Sequence, residues 1–262
     1  MCAARVHEHR HGRVLELVIA NPAQRNALTP EISAALTRAL RLAAEDAGVG
    51  AVVLRGEGDH FCAGGNVKSL AEMRASQPRQ AILERIAAVN ELARALRGTP
   101  KAVIAAVEGH AAGAGFSIAL GCDLVVAAEN ARFTMAYVRI GVNPDGGGTW
   151  HLARALPAQL ASELALTARP VEAARLAAHG VVNRVVPPGR AREEALEWAR
   201  EIASGATGAI GRTKRLLEEA AGRDLASHLE RERESFAEAM YGPEGAEGLA
   251  AFLEKRRARF QD

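Results

Sequence analysis

Aromatic residues make up only 4% of the 262-residue chain, too few for the stacked platforms that hold single-stranded nucleic acid. Lysine and arginine total 33 against 31 aspartate and glutamate, a net charge of +2 with the two signs interspersed. That balance offers neither a basic face for a polynucleotide nor an acidic tail. Cysteine is scarce: Cys2, Cys62 and Cys122 stand in no CxxC or Cys/His spacing, which argues against a zinc site and a disulfide framework. No apolar run approaches membrane-spanning length, and "MCAARVHEHRHGRV" lacks the apolar core of a signal peptide, so the expected location is the cytoplasm. The cluster from His7 to His11 reads as a polar strand edge, because no matching carboxylates follow to complete a metal site.

What the chain does hold is 48% hydrophobic and 24% charged residues, an ordinary globular balance with length enough for a sizeable core. "RVLELVIANP" alternates apolar and polar positions up to Asn21-Pro22, the pattern of a strand and turn. Thr29-Pro30-Glu31 opens a helix, with Thr29 as N-cap and Ile32, Leu36, Leu40 and Ala43 at helical spacing. "AVVLRG" is a short buried strand, followed by the loop "EGDHFCAGGN". A helix from about Arg79 to Arg97 leads to the strand "KAVIAAV", a Gly/Ala turn with its own helix, and the strand "LVVAAEN". Such alternation predicts a parallel sheet with right-handed crossovers. Beyond Thr149 the pattern is mostly helical, with helices near 191–204, 208–221 and 224–241 and one more strand within "VVNRVVPPG".

Gly113-Ala114-Gly115 follows a strand and opens a helix, and Glu129 ends the next strand where a ribose-binding acid would stand. The spacing opposes a dinucleotide site. Gly113 lies six residues past Val107, the third-glycine position is Ile118, and no βαβ opening precedes the unit. The alternative is that small residues let a ligand approach the backbone. A helix beginning near Ala114 leaves its first N–H groups unpaired, with a dipole that favours negative charge. Ala63-Gly64-Gly65 in "HFCAGGN" offers a second bare amide. Either motif alone is equally a tight turn.

Together, in this order and spacing, these segments resemble the crotonase superfamily, the enoyl-CoA hydratase/isomerase family, over nearly the whole chain. "NPAQRNALTPEI" resembles the family's CoA-contacting first turn, and "FCAGGNV" its first oxyanion loop. "AVEGHAAGAGFSIALGCDLVVAA" resembles the second oxyanion segment, "FTMAYVRIGVNPDGGGTWHLAR" the catalytic segment and "EGLAAFLEKRRARF" the C-terminal helix. The resemblance implies an α/β, crotonase-like (ClpP/crotonase) fold of stacked ββα units over 1–195, with a helical C-terminal trimerisation region over 196–262. It implies that the N–H groups of Gly65 and Ala114 form an oxyanion hole for a thioester enolate. Coenzyme A would arrive as part of an acyl-CoA substrate, with no separately bound cofactor and no metal, and the chains would assemble as trimers or dimers of trimers.

Hydratases of the family place two glutamates at the site, and the matching positions here are Ser117 and Tyr137. Neither is a competent base near neutral pH. Asp145, in "IGVNPDGGGTW", taken alone reads as a helix N-cap. Within the resemblance it matches the single acid of the isomerases, in a segment similar to the ring-epoxide isomerases of phenylacetate breakdown and to enoyl-CoA isomerases that shift a double bond. The implied activity is enoyl-CoA isomerisation with Asp145 as acid/base; hydration of 2-enoyl-CoA is the alternative. A nucleophilic aspartate, as in the chlorobenzoyl-CoA dehalogenase, would need a tryptophan where Tyr137 stands.

Other residues take supporting readings. By resemblance Tyr137, Ser117 and Asn66 border the substrate pocket, with Tyr137 as a wall of the acyl site; Ser117 also caps or back-bonds within its helix, Asn66 is an N-cap, and His110 packs near the second oxyanion segment. By resemblance, Arg25 and the backbone near Ala27 and Ala63 contact the CoA nucleotide, and Lys255 contacts a phosphate or belongs to a solvated basic tail. Phe252 and Leu253 would lie between subunits. A serine hydrolase is opposed by the absence of a GxSxG elbow. A non-catalytic or RNA-binding relative is opposed by the retained oxyanion segments and Asp145.

Overall fold

The computed structural model describes residues 4–260. Two antiparallel strands open the chain, β1 (Arg5–His11) and β2 (Val14–Ala20), followed by a 3-10 turn at Pro22–Gln24 and helix α1 (Pro30–Glu45). Next come β3 (Ala51–Gly56), α2 (Val67–Ser76), α3 (Arg79–Gly98), β4 (Ala102–Val107), β5 (His110–Ala112) and α4 (Ala114–Gly121). The middle of the chain holds β6 (Leu124–Ala128), β7 (Arg132–Thr134), a 3-10 turn at Ala136–Ile140, α5 (Gly148–Ala155), α6 (Ala158–Thr167), β8 (Val171–Glu172) and α7 (Ala173–Ala177). The last elements are β9 (Arg184–Val186), α8 (Ala191–Ala203), α9 (Thr207–Ala220), α10 (Leu225–Met240) and α11 (Pro243–Leu253).

The main sheet has the order β1-β2-β3-β4-β6-β9, parallel except at the β1 edge, as the strand–helix alternation requires. The expected polar edge at His7–His11 is that outer strand. Side chains alternate across the sheet. Val52, Leu54, Val103 and Ala105 face α1 and α3, whereas Ala51, Val53, Ile104 and Ala106 face α8. Ala195, Leu196, Ala199 and Ala203 of α8 belong to that second core, so residue 195 falls inside a helix packed on the sheet.

The short sheet β5-β7-β8 lies beyond the carboxyl ends of the main strands. β4, β5 and α4 form one ββα unit. The isolated parallel bridges Leu28↔Gly65 and Cys62↔Ala111 give the preceding units a residual second strand of the same kind. This stacking brings the loops after β2, β3 and β4 side by side.

Two charged groups are buried where an apolar residue would be expected. Glu16 in β2 is fully buried, not the solvent-facing half of an alternating strand. It accepts from Arg55 Nε (2.6 Å), Arg192 Nε (2.6 Å) and His11 Nε2 (2.8 Å). Burial pushes its carboxyl up, but the bonds from Arg192, Arg55 and His11 outweigh this and hold it at about 2. Lys214 in α9 donates Nζ to the carbonyls of Leu96 (2.9 Å) and Lys101 (3.1 Å) and meets Asp123 Oδ2 at 2.7 Å. Asp123 in turn accepts from Val103 N at 2.8 Å.

Candidate active site

Two loops that leave neighbouring strands meet edge to edge. Cys62 N donates to His110 O (3.1 Å) and Ala112 N to Cys62 O (2.9 Å), which carries the β3 loop alongside β5. Gly64 then lies against the turn into α4. A β-carbon there would stand 2.6 Å from Ala112 O and 3.0 Å from Ala114 N, and its φ of +83° is left-handed, so glycine is required on both counts. Gly113 precedes α4 with φ +52°. The N–H groups of Gly65 and Ala114, on these adjoining turns, donate to no acceptor among the described residues. Both are therefore free for a ligand oxygen. Cys62 is buried between the loops, and burial pushes its thiol up to about 12, which removes it as a nucleophile.

The 3-10 turn at Ala136–Ile140 delivers Tyr137 to the same place, its ring carbon Cζ 4.0 Å from where a β-carbon of Gly113 would be. Its hydroxyl donates to Asp145 Oδ1 at 2.6 Å. Ser117 Oγ lies 3.3 Å from the phenol oxygen and 3.5 Å from Gly113 O. The phenol has one proton and gives it to the carboxylate, so Ser117 is the donor between those two hydroxyls. Burial first, then the charge of Asp145, drives the phenol above its usual range, so Tyr137 stays protonated. It is a hydrogen-bond donor to the acid as well as a wall. Ser117 Oγ stands within reach of Gly113 O along its helix, but with Tyr137 donating to Asp145 its one proton goes to the phenol oxygen.

Asp145 is not a helix cap. α5 begins at Gly148 behind Gly147 with no side-chain cap, and Asp145 contributes only its backbone carbonyl, which accepts from Gly148 N at 3.1 Å. Gly146 and Gly147 (φ +58° and +83°) bend the chain in the left-handed region between Asp145 and α5. Gly148 completes the approach: a β-carbon there would stand 2.6 Å from Ser117 Oγ. Asp145 Oδ2 has no hydrogen-bond partner among the described residues.

Two bare amides and one half-buried carboxylate stand together in a chain that has known relatives. The family model for enoyl-CoA hydratase/isomerase matches residues 9–262. The chain belongs to the enoyl-CoA hydratase/isomerase family. It is similar to a 2,3-dehydroadipyl-CoA hydratase and to a 1,2-epoxyphenylacetyl-CoA isomerase, both of Escherichia coli K12, each at 34% identity covering 96% of either chain. The crystal structure of an enoyl-CoA hydratase from Polaromonas sp. JS666 superimposes with a TM-score of 0.95 at 44% identity, covering 97% of this chain and 99% of the other. Family members act on CoA thioesters, and the crotonase fold expected from the motifs is the fold observed.

Within this family frame, the residues expected to contact CoA divide. Arg25 is exposed, has φ +49°, and accepts through its carbonyl from Ala63 N at 2.9 Å, which ties the first turn to the loop of Ala63–Gly65. Ala27 is buried, its N–H given to Gln24 O (3.0 Å) and its carbonyl accepting from Asn21 Nδ2 (2.9 Å), so its backbone serves the turn itself. Asn66 caps α2 by accepting from Ser69 N at 3.1 Å. Lys255 follows α11 with φ +56° on an exposed segment, and no hydrogen bond or ion pair among the described residues joins it to the oxyanion loops. His110, expected to pack, is exposed; β5 ends there at the surface and its ring lies against His60, centroids 5.1 Å apart.

Sequence reading missed Asn26. It is fully buried at φ +58°, accepts from Asn21 N (3.0 Å) and donates to Glu57 O (2.9 Å) and His60 O (2.7 Å). These bonds join the turn after β2 to the loop after β3. The available clue was its type, since asparagine tolerates the left-handed region better than other residues with side chains.

Proposed function

We propose that this protein is an enoyl-CoA isomerase or a closely related single-acid isomerase. The observation that carries the reading is the 2.6 Å bond from Tyr137 to Asp145, with Ser117 as the other neighbour. Hydration of an enoyl thioester calls for groups that orient, deprotonate and deliver water. Among the described residues no second carboxylate bonds to Asp145, Tyr137 or Ser117. One carboxylate suffices for a proton shift.

In this reading the thioester carbonyl lies on the N–H groups of Gly65 and Ala114. Asp145 removes a proton alpha to the carbonyl, the two amides hold the dienolate oxygen, and the same oxygen of Asp145 returns the proton at the gamma carbon. Charge grows where the amides point, so they stabilise the transition state more than the ground state. Arg25 and Ala63 border the path for the CoA nucleotide. The apolar side chains of Leu225, Leu229 and Phe236 on α10 and Phe252 and Leu253 on α11 are exposed, which supports their burial against further copies of the chain in a trimer or a pair of trimers.

The hydratase reading has one support, the names carried by several relatives. Incubation with 2-enoyl-CoA and 3-enoyl-CoA in deuterated water separates the two. A shifted double bond without added water is the expected result, with label at the alpha and gamma carbons to the extent that the protonated acid exchanges with solvent; a 3-hydroxyacyl product would establish hydration instead.

A further inference from the structure

Position 117 and position 137, where hydratases of this family carry glutamates, are joined here into a support for a third residue. Gly113 O accepts from Phe116 N (3.0 Å) and Ser117 N (3.1 Å). Ser117 meets the Tyr137 hydroxyl at 3.3 Å, and Tyr137 donates to Asp145 Oδ1 at 2.6 Å. The peptide that begins at Gly113 O ends at Ala114 N. One connected set of bonds therefore runs from an oxyanion amide to the acid.

Resting on the isomerase reading, we propose that Tyr137 is the positioning residue for Asp145: its hydroxyl pins Oδ1 and leaves Oδ2 as the single oxygen that carries the proton. The backbone does not do this. Asp145 is followed by Gly146 and Gly147, whose conformations only a flexible residue adopts, and its side chain makes no other hydrogen bond among the described residues. Without the phenol, rotation about both side-chain torsions would carry the carboxylate away from the substrate. A shift between two carbons makes the demand stricter than a single proton removal. Oδ2 takes the alpha proton while the C–H electron pair enters the dienolate, and it then gives that proton to the gamma carbon as the pair returns. The phenol proton stays on Tyr137 throughout, since burial and the neighbouring carboxylate oppose its loss.

Tyr137→Phe keeps the ring and its volume and removes only the pin, so the fold is retained. The expected result is a kcat lower by roughly 10- to 100-fold with KM changed less than about threefold, the mark of a misplaced catalytic group. A Tyr137→Phe protein with undiminished kcat would overturn the proposal. A second measurement does not depend on turnover. The chain has two tyrosines, so a Tyr241→Phe background labelled with Cζ-13C tyrosine shows Tyr137 alone. Its signal is expected to move on Asp145→Asn, and an unmoved signal would also overturn the proposal. The two readings fail separately. Asp145→Asn at full rate sinks the isomerase reading, whereas an inactive Asp145→Asn beside a fully active Tyr137→Phe sinks only the positioning role.

Discussion

Gly115 lies so close to the carbonyl of Cys62 that a β-carbon at position 115 would stand 2.2 Å from that oxygen. The neighbour is backbone and cannot rotate aside. Cys62 O also accepts from Ala112 N at 2.9 Å, so pushing the loops apart breaks a strand contact as well. Gly115→Ala is expected to destabilise the protein by about 2–3 kcal/mol or more. It should also lower kcat/KM by separating the amides of Gly65 and Ala114. A urea titration and a kinetic assay on one preparation would check both, and wild-type values in either would contradict the close approach.

Asp145→Asn keeps an oxygen for the Tyr137 hydroxyl but removes the proposed base. Isomerisation should drop by about 10²- to 10⁴-fold, the usual worth of a positioned acid/base group. Thermal stability should change little, because Asp145 does not cap α5. Steady-state rates beside a melting curve would separate this from a folding defect.

Asn26→Ala removes an acceptor for Asn21 N and a donor to the Glu57 and His60 carbonyls, and it leaves an ordinary side chain at φ +58°. Leaving such buried groups unpaired costs about 1–3 kcal/mol, and the strained backbone adds to it. The loss is expected as a lower urea midpoint with unchanged slope. A shift below about 0.5 kcal/mol, typical of surface changes, would show that the turn is held by other means.

Glu16 sets an acid limit on stability. Its carboxyl is held at about 2 in the fold against an ordinary 4.5. A lowered folded-state value means that the contribution is complete above about pH 4.5 and drains away as the pH falls toward 2. At 1.36 kcal/mol per pH unit the contribution is on the order of 3 kcal/mol. Urea midpoints measured from pH 6 to pH 2 should fall less steeply in Glu16→Gln than in the wild type. Parallel slopes would remove Glu16 from the account.

How much of this was legible without coordinates follows the range of the interactions. The Thr29 cap accepts from Ile32 N at 3.2 Å as its local pattern implies, and β3 and the start of α4 fall where the apolar run and the glycine turn place them. Those features depend on residues a few positions apart. β5 was not legible, because its three residues pair with β7 across more than a helix of intervening chain. Glu16 read as the polar half of an alternating strand because its partners, Arg55 and Arg192, come from a neighbouring strand and from α8. Asp145 carried the local chemistry of a cap, and its carboxylate instead meets Tyr137, a partner that the separate 3-10 turn delivers. The glycines of the two turns before α2 and α4 were visible; that the turns touch each other was not.

The ammonium group of Lys214 ties the C-terminal helices to the sheet from underneath. Through Lys101 O and Asp123 it grips the residues just before β4 and beside it, and β4 is the strand that runs on to Ala114 N. A chain cut short before α9 would lose the ammonium that meets Asp123 and donates to the Leu96 and Lys101 carbonyls. α9 is thus anchored at the root of the strand that leads toward Ala114 N.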